Sequence, residues 1–270
     1  MITNIVASSE NINIINTIVV ISTILITVVS FKDVLSITYD IVQGVSDFVA
    51  IIFPMMLSLV VSTIGGSTAT TLMGLTTITT AIIHFVFHNI LYPIIIFVYV
   101  LTILGALSNF VKLDKFTGFL FSCFKFVVGI TFTVFIGFLG LQSLTTLRFD
   151  SMSIRATKFA ISSFVPLVGS FLSQGFDYIM MGSLLVKNGV GVIGIIIIVG
   201  TVFMQVISIY ILRLSYSFIG GVLEFVGDSA VSKYLDKFSK VMLLPIVLIL
   251  SVTFFYIVLM SLFIIGVGVG

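Results

Sequence analysis

Long apolar stretches alternate along this chain with shorter segments that carry its few charges. A membrane-spanning helix needs about 20 apolar residues, so each long stretch predicts a span. Full spans are predicted at Ile14–Ser30, Phe48–Ile64, Ile90–Leu107, Phe126–Thr145, Val190–Leu212 and Met242–Ile264. No basic residue precedes the first of these, so we expect it to be retained rather than cleaved as a signal peptide.

Two segments mix apolar and charged residues at roughly helical spacing. Phe31–Asp47 carries Lys32 and three aspartates between its apolar positions. Arg213–Lys240 is similar, with glycine-rich breaks at Gly220-Gly221 and at Gly227–Ser229. A helix with one apolar and one polar face suits the membrane–water interface, so interfacial helices are predicted at both places.

The central stretch, about residues 148–189, has a different pattern. Its apolar pieces, Phe159–Ser173 and Phe176–Val186, are too short to span a bilayer but long enough to enter and return. Irregular backbone at membrane depth is tolerated only where protein or water satisfies its polar groups. We therefore predict a re-entrant hairpin that forms the working part of the protein, with helix-breaking hinges at Pro166, Gly169, Gly175 and Gly182.

Charged residues within this stretch are its candidate functional groups. Asp177 lies beside an apolar run, where a carboxylate must either pair with a cation or face water. Arg155 and Lys158 share a helix face and could pair with Asp177 or bind an anionic lipid head group. Lys187 is poorly placed to pair with Asp177, and snorkelling to the surface explains it. An ion pathway and a structural ion pair both remain open for Asp177.

A second broken segment, Ala69–Asn89, is rich in threonine and is also predicted to be re-entrant. Its small and polar residues, Thr70, Gly74, Thr77, His84 and His88, fall on one helix face. Such a face either packs closely against another helix or lines a wet path. The two histidines have the spacing of two metal ligands, but no third ligand accompanies them, so no metal site is expected.

Composition defines the class of protein. The chain is 59% hydrophobic and 8% charged with a mean hydropathy of +1.36, whereas a soluble domain carries about 25% charged residues. An integral membrane protein is therefore predicted. A net charge of +2 gives no reason to expect nucleic acid as a partner. No hydrolytic or phosphate-binding motif is present, so we expect neither enzymatic activity nor a cofactor.

The lysines and arginines predict the topology. If both broken segments enter and leave on one side, Lys32, Ser108–Lys125 and Arg213–Lys240 share a face that holds eight of the twelve basic residues. That face is assigned to the cytoplasm, since basic residues concentrate there. The predicted fold is all-α: a single membrane domain over residues 1–270, with about six transmembrane helices, two re-entrant hairpins and interfacial amphipathic helices.

Three sequence stretches resemble the stage III sporulation protein AE family of endospore-forming Firmicutes. They are IRATKFAISSFVPLVGSFLSQGFDYIMMGSLLVKNGVGVIG at Ile154–Gly194, GDSAVSKYLDKFSK at Gly227–Lys240 and, more loosely, FPMMLSLVVSTIGGSTA at Phe53–Ala69. The resemblance implies a polytopic protein of the mother-cell membrane around the forespore. It also implies membrane, ring-forming and ATPase partners, with which it would build a channel complex between mother cell and forespore.

Two other functions are also compatible with the sequence. One is a free-standing secondary transporter whose mid-membrane site includes Asp177, Gln205 and the Thr70–His88 face. The other is a membrane scaffold that anchors ring proteins without conducting anything. Membrane lipids and a second copy of the chain complete the set of candidate partners.

Overall fold

The fold is described by a computed structural model, which covers residues 2–64, 66–107, 113–145, 189–226 and 229–267. All regular elements within these ranges are helical, which confirms the all-α class. They are α1 Ile2–Ile64, α2 Gly66–Val86, a π-helical turn Phe87–Leu91, α3 Tyr92–Leu107, α4 Asp114–Thr145, α5 Gly189–Val226, α6 Ser229–Val241 and α7 Leu243–Val267.

Five helical segments in the described part of the chain are long and apolar enough to cross a membrane. They are Thr17–Pro54, Thr76–Leu107, Asp114–Gly137, Gly191–Phe225 and Ala230–Ser261. The polytopic membrane class agrees with the prediction, but the expected number of about six spans is not confirmed. Two of the predicted spans, Ile14–Ser30 and Phe48–Ile64, belong to the single helix α1.

The re-entrant hairpin predicted at Ala69–Asn89 is not confirmed either. Helix α2 continues through the π-helical turn into α3, and Thr76–Leu107 forms one candidate span. Pro93 lacks an N–H, and its ring crowds the carbonyl of Asn89, four residues earlier. The π-helical turn immediately before α3 lies at this point, where a wider turn lets the helix continue.

The predicted interfacial segments also differ from the structure. Phe31–Asp47 is part of α1, and its Phe31, Val42 and Val45 are buried within the protein. The amphipathic pattern therefore identified a face that packs against other helices. Helix α5 continues through Gly220-Gly221, so the break predicted there is wrong. The second predicted break is found, since α5 ends at Val226 and α6 begins at Ser229.

Hydroxyl side chains within the apolar helices bond mainly to their own backbone. Thr38 donates to the carbonyl of Val34 at 2.6 Å, and Thr102 donates to that of Val98 at 2.8 Å. The same bond joins Thr131 to Val127. Because these hydroxyls are satisfied four residues back along the helix, serine and threonine can occupy membrane helices without a distant partner.

The chain divides into two compact units. Unit 1 comprises Met1–Asp40, Tyr92–Cys123 and Met204–Leu248, and unit 2 comprises Ile41–Leu91, Phe124–Phe203 and Ile249–Gly270. The last candidate span, Ala230–Ser261, is the most enclosed. Of its apolar window 78% is buried, against 22–28% for the other four candidate spans. Within this segment α7 is apolar on all sides and mostly buried, which is typical of a core element.

The core of unit 2 is built around Phe255 on α7. Its ring lies 4.5 Å from that of Phe132 and 4.6 Å from that of Phe135, both on α4. The Phe87 ring of the π-helical turn lies 6.0 Å away. These distances lie within the usual range for interacting aromatic pairs. Since Phe255 is fully buried, it holds these elements together.

Two further contacts bring α1 and α5 to α7 within unit 2. The Tyr256 hydroxyl donates a hydrogen bond to Ser46 on α1 at 2.9 Å. On α5, a Cβ at Gly194 would stand 2.9 Å from the Met260 Cε atom and 3.3 Å from the Ile52 Cδ1 atom. A glycine at this position lets α5 approach both neighbouring helices closely.

Candidate functional site

The predicted central hairpin lies outside the described residues. This applies to the charged candidates Asp177, Arg155, Lys158 and Lys187 and to the hinge candidates Pro166, Gly169, Gly175 and Gly182. The assignments made for these residues from the sequence remain predictions.

The predicted small and polar face of α2 is open along much of its length. Gly74, Thr77 and His84 are exposed, and the side chain of Thr70 lies outside the described part. No described atom other than the helix's own backbone lies within 4 Å of the place where a Cβ of Gly74 would stand. Close packing of this face inside the chain is therefore not observed at Gly74.

The histidines at the end of this face lie together. His84 is exposed and His88 is half-buried in the π-helical turn, with their ring centroids 4.1 Å apart. A metal centre would need a third protein ligand or more. Among the residues that the structure describes, no group of three potential His, Cys, Asp or Glu ligands occurs. Gln205, the remaining candidate, is exposed on α5.

A group of aromatic and hydroxyl side chains surrounds Phe238 in unit 1. The sequence pattern did not indicate this group. Phe238 is fully buried on α6. Its ring lies 4.9 Å from that of Tyr216 on α5, 5.6 Å from that of Tyr99 on α3 and 6.3 Å from that of Phe31 on α1. Phe31 also stacks on Tyr99 at 3.8 Å. We call these four residues with Tyr234 the Phe238 cluster.

Two hydroxyl pairs attach this cluster to α1. Thr27 and Tyr234 lie 2.5 Å apart, and Ser30 and Tyr216 lie 2.6 Å apart. Thr27 already donates to the carbonyl of Ile24, and Ser30 donates to that of Ile26. Because a hydroxyl has a single proton, the tyrosine is the donor in each pair. A buried hydroxyl without a partner is costly, so the Tyr234 bond favours one position of α6 against α1 and the Tyr216 bond favours one position of α5 against α1.

The Tyr99 hydroxyl is a third polar group in the cluster. It is buried near Thr27 and Tyr234. It makes no hydrogen bond of normal geometry to any described residue. The ring of Tyr99 therefore contributes through packing and stacking, while Tyr234 and Tyr216 contribute the hydrogen bonds.

A glycine on α5 allows α6 to approach closely. A Cβ at Gly220 would stand 3.3 Å from the Cβ of Leu235 and 3.4 Å from the carbonyl oxygen of Ser232. The next residue, Gly221, has no described atom within 4 Å of the same position, other than the backbone of its own helix. Gly220 therefore has a packing role, which explains a glycine inside a helix where the residue type is otherwise unfavourable.

An ion pair joins α6 to the start of α4. The Lys237 Nζ atom lies 2.5 Å from an Asp114 carboxylate oxygen, with 44% and 70% of the two side chains exposed. An exposed pair of this kind stabilises a fold by about 1 kcal/mol or less, so its main value is positional. It brings together two of the basic segments that were predicted to share one membrane face.

The third basic segment also approaches α6. Phe31, next to Lys32, contacts Phe238. These contacts bring Phe31, the start of α4 and α6 together within unit 1. That the three basic segments lie on one side of the membrane stays a prediction, as does the assignment of that side to the cytoplasm.

One sequence signal could have located the Phe238 cluster. The stretch GDSAVSKYLDKFSK, already distinctive in the sequence, contains α6 and contributes Tyr234 and Phe238. Its partners Thr27, Tyr99 and Tyr216 are single polar residues in apolar spans, and nothing in their spacing indicates that they meet. Their roles depend on contacts between distant parts of the chain.

Comparison with known proteins connects this architecture to a family. A family model described as stage III sporulation protein AE matches residues 1–268. The chain is also similar to stage III sporulation protein AE of Bacillus subtilis (strain 168), with 23% identity over 211 residues. The match covers 78% of this chain and 53% of the relative, so the chain spans about half the length of the curated relative it matches. No solved structure matches the chain.

Proposed function

The chain belongs to the stage III sporulation protein AE family, and on this premise we propose that it is a membrane-embedded component of a channel complex between mother cell and forespore. It would be located in the mother-cell membrane around the forespore and be required for endospore development. The observation that carries the proposal is the family match over residues 1–268 of a chain with five candidate membrane spans in its described part.

The anchored position of α6 supports a role in assembly. The Phe238 cluster fixes one face of α6 inside unit 1, while Lys233, Asp236, Lys237 and Lys240 are exposed on the other. Because α6 is held in place by these contacts, it can form a rigid part of an assembly. The proposed protein partners are the other membrane and ring-forming proteins of the stage III complex. A second copy of this chain is a further candidate partner.

Gene deletion in the spore-forming host tests the proposal. We expect heat-resistant spores and late forespore gene expression to fall sharply and to recover when the intact gene is restored. Uptake of small molecules by vegetative cells should not change. Normal spore numbers in the deletion strain would refute the proposed requirement.

A second experiment separates the channel component from its two alternatives. The full chain, purified alone in proteoliposomes, should show no ion- or pH-dependent uptake, whereas a free-standing transporter would show it. A small tracer loaded into the mother cell should reach the forespore only when the intact protein is present. If the tracer passes equally well without the protein while ring proteins are lost from the membrane, the scaffold function is favoured.

A further inference from the structure

The exposed face of α6 carries a stripe of lysines. Lys233, Lys237 and Lys240 are spaced by four and three residues, so at about 100° per residue they point within about 60° of one another. All three are exposed. The opposite face, with Tyr234, Leu235 and Phe238, is buried in unit 1. Because that face is occupied, α6 cannot turn to hide its lysines, and they are presented outward.

The lysine stripe lies beside the start of an apolar helix. Helix α7 begins at Leu243, two residues after α6 ends, and Leu243–Ser261 contains no charged residue. The ion pair of Lys237 with Asp114 brings the start of α4, another candidate span, to the same place. Two apolar helices thus begin where the lysines are exposed, which is the arrangement expected at the head-group layer of a membrane.

Positive charge is in excess at this place. The basic residues of α6 and of the helix ends next to it are Lys115, Lys233, Lys237 and Lys240, and the acidic residues are Asp114, Glu224 and Asp236. Lys237 pairs with Asp114, and Lys240 pairs with Asp236. In the described part of the chain no carboxylate lies within ion-pair distance of Lys233. A basic surface next to a membrane helix attracts anionic lipids, with each lysine strengthening the interaction about fivefold.

We propose that the lysine face of α6 binds the head groups of anionic phospholipids. Lys233, which has no ion-pair partner in the described part of the chain, points between the other two lysines. The phosphate and the negative net charge of the lipid complement the lysines, while its acyl chains lie along the apolar helices that begin beside them. Zwitterionic lipids carry a compensating positive charge and bind weakly.

Titration of the purified full chain with short-chain phospholipids tests this site. The probes are dioctanoyl phosphatidylglycerol and dioctanoyl phosphatidylcholine, added in a neutral detergent, with binding measured by native mass spectrometry. Phosphatidylglycerol should bind more tightly than phosphatidylcholine. Lys233→Gln should weaken phosphatidylglycerol binding about fivefold, and Lys233→Gln with Lys240→Gln about 30-fold. Raising the salt concentration should reduce the preference for phosphatidylglycerol.

Lys125→Gln is the matched control. Lys125 is an exposed lysine on α4, about 16 Å along the helix from Asp114, and its replacement removes the same charge elsewhere. It should retain phosphatidylglycerol binding, and circular dichroism should show equal helix content for all variants. Equal phosphatidylglycerol affinity of the Lys233→Gln variant and the unaltered protein would overturn the proposal. So would loss of an acidic protein partner in Lys233→Gln cells with lipid binding unchanged, because the face would then be a protein-docking surface.

Discussion

Replacing Gly220 with leucine should destabilise the protein, whereas the same replacement at Gly221 should not. Both glycines lie inside α5 and are adjacent in sequence. Gly220 is buried against α6, with Leu235 and the backbone oxygen of Ser232 at contact distance from an added Cβ. Gly221 is exposed and has open space around it. The two variants therefore carry the same change of residue type and differ in the space available to the new side chain.

The expected difference follows from these distances. Leucine favours a helix over glycine by up to about 1 kcal/mol at either position, so this contribution cancels between the variants. At Gly220 the Cβ alone would be 3.3 Å from the Leu235 Cβ atom, and leucine adds three more carbon atoms. Overpacking of this kind costs about 1–3 kcal/mol. At about 2–4 °C per kcal/mol for proteins of roughly this size, the difference in the unfolding midpoint is about 2–12 °C.

Thermal unfolding of the purified protein in detergent, followed by circular dichroism at 222 nm, measures this difference. The Gly220→Leu variant should unfold at a lower temperature than the unaltered protein, and Gly221→Leu should unfold at the same or a higher temperature. Equal midpoints for the two variants would show that α5 and α6 are not in close contact at Gly220.

Three further predictions concern the hydroxyl pairs, the topology and the central stretch. Tyr234→Phe and Thr27→Val should each destabilise the protein by about 1 kcal/mol. In thermal melts the double variant should lose less stability than the two single variants together, because both substitutions remove the same hydrogen bond. Additive losses of stability would show that the two hydroxyls are not bonded. Single cysteines replacing Lys115 and Lys233 in a cysteine-free background should react with an impermeant thiol reagent from the same side of the membrane, and opposite sides would refute the shared face. Asp177→Asn should reduce the level of the protein in the membrane, because the partner cation would then lack a counter-charge. Adding Arg155→Gln should restore part of that level. A double variant with no more protein than its single variants would assign Asp177 to a water-facing role.

The local sequence was sufficient to predict the class of protein and the apolar faces of some helices. Runs of apolar residues longer than about 17 predict membrane helices wherever they occur, because hydropathy depends on neighbouring residues alone. The pattern of Phe31–Asp47 likewise predicted a helix with an apolar face, and Phe31 and Val45 are buried there. Local pattern could not show whether that face meets lipid or protein, since both are apolar.

Tertiary structure decided where helices continue and which polar groups meet. Gly220 was predicted to be a break from its residue type, but contact with α6 gives glycine a packing role in a continuous helix. Thr27 and Tyr234 are 207 positions apart, and Asp114 and Lys237 are 123 positions apart. Nothing in the immediate neighbourhood of these residues specifies their partners. Their pairing follows from the packing of whole helices, which brings the hydroxyls of Thr27 and Tyr234 together and places Gly220 where two helices approach closely.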